Sequence, residues 1–95
     1  MTKNNLVVLR DDVAGLQKMY RLILDEESSQ VVKAMCKTGF DLCELQLKAI
    51  DDLADAMDAN KNSVGIMWQK IRDSIGSLSS HMIELLKLLN EIKIE

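Results

Sequence analysis

The side chains able to act as nucleophile, base or soft metal ligand are few: Cys36, Cys43 and a single histidine, His81. A structural zinc site draws on four Cys or His ligands, and the three here are scattered from position 36 to position 81. A di-metal centre in a helical bundle takes paired Glu-x-x-His motifs, which one histidine cannot supply within a chain. Nucleophilic catalysis needs a Cys or Ser held against a base, with a third group orienting that base. No spacing in this chain provides the set. A phosphotransfer histidine would carry Lys and Gly three and four positions on, where Glu84 and Leu85 stand. A glycine-rich phosphate loop is also missing. The expectation is therefore a non-enzymatic protein that uses no cofactor and no metal, with His81 a flanking, partly exposed residue.

Cys36 and Cys43 would share a helical face about 10 Å apart, too far for a disulfide between them. They read as small buried hydrophobes.

The elements that hold these residues follow from composition and periodicity. The chain has 95 residues, 47% of them hydrophobic, with three aromatics and no proline. Without proline the strongest helix breaker is absent, and the abundance of Leu, Ile, Met, Ala, Lys and Glu favours helices. In a first segment Leu6, Leu9, Val13, Leu16, Tyr20 and Ile23 advance by alternating steps of three and four, which places them along one side of a helix. The polar run DEESSQ ends that seam, with a turn near 25–29 and Ser28 or Ser29 able to cap the next helix.

A second segment carries two apolar lines. One is Phe40, Cys43, Leu47, Ile50, Ala54 and Met57; the other is Leu42, Leu45, Ala49, Leu53 and Ala56. A helix with two apolar lines touches two neighbours, as the middle helix of a bundle does. Gly39 and the capping pattern of Thr38 with Asp41 allow a break near that point. DANKNS at 58–63 is a turn by composition. The third segment has the longest seam: Val64, Trp68, Ile71, Ile75, Leu78, Met82, Leu85, Leu89 and Ile92.

The predicted fold is an all-α, elongated, antiparallel bundle with coiled-coil-like packing. It forms a single domain with helices at about 5–26, 29–58 and 62–93, or four helices if Gly39 divides the second. The third seam alone would run about 42 Å at the helical rise. A compact chain of this length has a radius of gyration of only about 12 Å.

Two surfaces are candidates for binding. At the C-terminal end, Leu86 and Leu88 flank the third seam on opposite sides, and Ile83 and Ile94 lie farther round. With Trp68, a residue type enriched at binding hot spots, they form the expected partner surface. The other is the polar back of the second helix, where Asp41, Glu44, Asp51, Asp55 and Asp58 recur at helical spacing as an acidic docking face.

The net charge of −3 and the absence of any basic run argue against nucleic acid. No apolar stretch reaches the ~20 residues that span a bilayer, and the apolar core of MTKNNLVVLRDD is short for a signal peptide. A cytoplasmic location is the expectation. So is a helical module of adaptor, chaperone or inhibitor type that binds a protein partner or a second copy, as homodimer or hetero-complex. The alternative is a structural subunit of a larger helical assembly.

Overall fold

The computed structural model describes residues 3–26 and 29–94, with side chains through Asn90. It consists of three helices, α1 (Lys3–Glu26), α2 (Gln30–Asp58) and α3 (Val64–Ile94). No strand occurs among the described residues. The molecule measures 53 × 20 × 19 Å with a radius of gyration of 15.4 Å, so the rod expected from the long seams is what forms.

Local sequence sets the helix ends. Ser29 sits at the N-cap of α2 in extended conformation, and its Oγ accepts from the Val32 N–H at 3.5 Å. At the other end the Ala59 N–H donates to the Asp55 carbonyl at 3.0 Å. Asn60 then adopts φ 54 and reverses the chain, a left-handed conformation that Asn tolerates better than most residues. The Ser63 carbonyl accepts from the Met67 N–H at 3.0 Å, which starts α3. The predicted turn near 25–29 includes residues 27 and 28, which lie outside the described residues.

All three helices feed one hydrophobic cluster. From α1 come Leu6, Val13 and Tyr20; from α2, Val32, Cys36, Cys43, Ile50 and Leu53; from α3, Ile71, Leu78, Met82 and Leu85. These are seam positions, apart from Val32 and Cys36 in the stretch of α2 before Gly39. Each large aliphatic side chain taken from water contributes about 1.5–3 kcal/mol before the chain-entropy cost is subtracted.

Helix α2 is the centre of the assembly and packs on both neighbours. Among the described residues no Cα of α1 comes within 8 Å of a Cα of α3. Those two helices meet through side chains.

One expectation is corrected. Gly39 does not divide the second helix, which runs unbroken from Gln30 to Asp58. A Cβ built on Gly39 would overlap the Tyr20 ring, 2.7 Å from Cε2 and closer still to Cε1 and Cζ. The glycine is there to admit an aromatic ring from α1 against the α2 backbone. Its helix-propensity cost of about 1 kcal/mol is offset by full burial of the largest core side chain.

Candidate functional site: a buried tyrosine cluster and two exposed faces

Tyr20 has 0% of its surface in contact with solvent. It starts on α1 and crosses Gly39 of α2, and its Oη ends 2.9 Å from Nδ1 of His81 on α3. The two rings are 5.6 Å apart and tilted by 59°. A neutral imidazole can accept the phenol O–H at Nδ1, so the one polar atom of a buried ring is satisfied across the whole bundle. Burial holds the phenol neutral, with its pKa pushed up to about 12, and any charge on the Cys43 and Cys36 thiols would act in the same direction.

Burial also pushes the Cys43 thiol up to about 11. A reactive cysteine needs the opposite environment, one that favours thiolate. Both thiols are buried, in agreement with the expectation that they are small hydrophobes. Among the described residues no group of three or more His, Cys, Asp or Glu is placed to hold a metal ion. His81 is half-buried beside its seam, as its position predicted.

The residues of the acidic back of α2 have different neighbours. Three of its members are engaged by α1: Lys3 pairs with Asp58, Arg10 Nε donates to Asp51 at 2.9 Å, and Gln17 Nε2 donates to Glu44 at 2.6 Å. The Arg10 guanidinium pKa is raised by its hydrogen bond to Asp51 and by that residue's charge. The three donors are seven residues apart on α1, and the three acceptors are seven apart on α2. Asp41 instead borders a surface depression with Arg21 and Lys37, and Asp55 faces the opposite flank, toward the turn before α3.

The C-terminal surface is likewise divided. Ile83 is 52% exposed and Leu86 49% exposed. Leu88 on the other flank is half-buried and packs against the core, as does Trp68. The side chains of Ile92 and Ile94 lie outside the described residues. The most exposed large apolar residues are elsewhere, Leu45 at 67% and Ile66 at 66%. Leu45, which the apolar pattern assigns to the second line of α2, stands at the rim of that line instead of inside it.

Beside Leu45 a series of depressions runs along the contact between α2 and α3. One of about 540 Å³ lies near the 59–63 turn, the next of about 260 Å³ shares Asp52 and Met67 with it, and a third of about 240 Å³ shares Gln46 and Ser74 with the second. Together they form one groove. Gln46 lies on its floor, 5% exposed, with Nε2 donating to the Ile71 carbonyl at 3.0 Å. That buried amide was not foreseen from the sequence, where it falls beside the apolar lines and carries no special spacing. No family model, no curated protein and no solved structure matches the chain.

Proposed function

We propose that the protein is a non-enzymatic helical interaction module, of adaptor, chaperone or inhibitor type, that binds a protein partner by helix packing. The observation that carries this reading is the set of large apolar side chains left about half or more in water, Leu45, Ile66, Ile83 and Leu86 among them. Large apolar surface left exposed is a mark of contact sites, and helix packing on a helical face is a common recognition mode. Coiled-coil-like packing belongs to the same proposal. It is supported by the seven-residue spacing of the α1–α2 polar pairs, which is the repeat of helices that wind about one another. We place the module in the cytoplasm, and neither nucleic acid nor membrane enters the reading. No described helix is long and apolar enough to cross a bilayer.

A second reading is a structural subunit of a larger helical assembly. The feature that favours it is the rod shape, 53 Å long, with apolar residues exposed on all three helices.

Co-purification from the native source, with chemical cross-linking to locate the contact, tests the first reading. Stoichiometric recovery of one protein cross-linked near the exposed apolar residues is expected. A chain that recovers nothing and grows into open-ended polymers, as measured by light scattering, would replace it with the second.

A further inference from the structure

We propose that the α2–α3 groove is the seat of a second copy of this chain, in a dimer whose two-fold axis runs along the rods. This deepens the interaction reading above and rests on it.

The two walls of the groove differ in charge. The α2 wall presents Asp52 and Asp55; on the other side stand Lys70 of α3 and Lys61 of the turn. Leu45 rises from the α2 wall, whose other apolar lining is Leu42, Ala49, Ala56 and Ala59. On α3 the groove is lined by Met67, Ser74 and Ser77, and Ile66, 66% exposed, stands one turn before Lys70.

Closed dimers use the same patch twice, and two ways of setting this face on itself are open. A two-fold axis across the rods would lay α2 on α2 of the second copy, so acidic wall would meet acidic wall. An axis along the rods lays α2 on α3 of the second copy, antiparallel, with acidic wall on basic wall. The electrostatics select the second, because facing like charges are penalised and facing opposite charges are not.

The Gln46–Ile71 hydrogen bond sets the register of α2 against α3, and rotation about an axis along the rods keeps levels unchanged. Ile66 of the second copy therefore comes level with the stretch between Ala49 and Asp52. Leu45 comes level with the stretch between Lys70 and Ser74. Asp55 likewise comes level with Lys61.

Light scattering coupled to size exclusion, over a range of concentrations, tests the dimer with purified full chain. The expected mass is twice 10.7 kDa. Leu45→Glu and Ile66→Glu should each reduce it to one chain while circular dichroism stays unchanged, since both side chains are already in water. The variant D52K/D55K makes the whole groove basic, and K61E/K70E makes it acidic. Each should be monomeric alone, and an equimolar mixture should recover the two-chain mass. A wild-type chain that is monomeric throughout, or a dimer indifferent to Leu45→Glu and to both charge reversals, overturns the proposal. If that monomer still binds a foreign protein, self-association alone has failed and helix packing stands. If it binds nothing, both readings fall.

Discussion

Along α1 and α2, polar side chains from Lys3, Arg10 and Gln17 reach across at every second turn, and Tyr20 is seated in the one place where α2 has no side chain. Between α2 and α3 the buried amide of Gln46 bridges the helices over a hydrophobic contact that includes Ile71 and Leu78, and an open groove runs along its edge. The same central helix is therefore committed on one side and available on the other. A committed interface is specified by groups that fit one partner position only. An available one leaves a groove and exposed apolar side chains beside it, and this is where the proposed second copy would sit. Substitutions on the two sides should accordingly report on different properties: stability on the first, association on the second.

The largest effect is expected from emptying the committed side. Tyr20→Ala should cost about 3–5 kcal/mol in chemical denaturation, the scale for truncating a large buried aromatic. Tyr20→Phe keeps the ring and should cost only about 1 kcal/mol for the lost hydrogen bond to His81. Equal losses for the two would mean that the hydroxyl, not the ring, holds α1 in place.

Raising pH attacks the same cluster. The Tyr20 phenol and the Cys43 thiol both have folded-state values raised by burial, to about 12 and about 11 from ordinary values of 10.0 and 9.0. The folded state then binds more protons than the unfolded state above about pH 9, so stability is full below that pH and is lost as pH rises toward 11–12. Thermal melts from pH 7 upward should show this decline. The chain has one tyrosine, so its phenolate absorbance should appear only as the helices unfold. Phenolate in a fully helical protein would show that the ring is reachable by water.

Glycine replacements separate the helices further. Gly39→Ala should destabilise by about 1–3 kcal/mol through overpacking, despite a propensity gain of about 1 kcal/mol. Gly76→Ala on α3 has open space around its new methyl and should stabilise by up to about 1 kcal/mol.

At the C-terminal end of α3 the contrast recurs on a smaller scale. Leu88→Ser should lower stability by about 1–2 kcal/mol, because the side chain is half-buried against the core. Leu86→Ser should leave stability within the ±0.5 kcal/mol or so typical of surface changes. If Leu86→Ser is the costlier, the two flanks have been assigned the wrong way round. The smallest change should come from Arg10→Gln, an exposed pair whose loss should barely move the melting temperature and less still in high salt.

The sequence made the helices legible because each is long enough for its apolar period to repeat many times. The third seam, from Val64 through Leu89, is buried or half-buried at every position. What periodicity could not convey is pairing between segments. Gly39 reads locally as a helix breaker, and only the ring of Tyr20, nineteen positions earlier, gives it a purpose. Gln46 likewise looks like a surface residue until the Ile71 carbonyl is brought beside it. The acidic back of α2 was visible as a pattern, but the donors that divide it lie on another helix, at a spacing that means nothing until the two are set antiparallel. Leu45 failed the other way: its place in an apolar line was right, while the line is wider than the surface α3 covers.

The pairing of Tyr20 with Gly39 also resolves an ambiguity that the polar pairs create. A ladder that repeats every seven residues is periodic, so sliding α1 by one repeat would set Lys3 beside Asp51 and Arg10 beside Glu44, still with opposite charges opposed. Charge alone thus leaves neighbouring alignments nearly degenerate. The tyrosine does not repeat. Shifted by seven in either direction, its ring would meet Val32 or Gln46 in place of a glycine, and neither position leaves the backbone bare. The one aperiodic contact therefore acts as the index mark on an otherwise uniform scale. Moving the glycine by one repeat to match that slide, with Val32→Gly and Gly39→Ala together, should leave the chain choosing between two alignments.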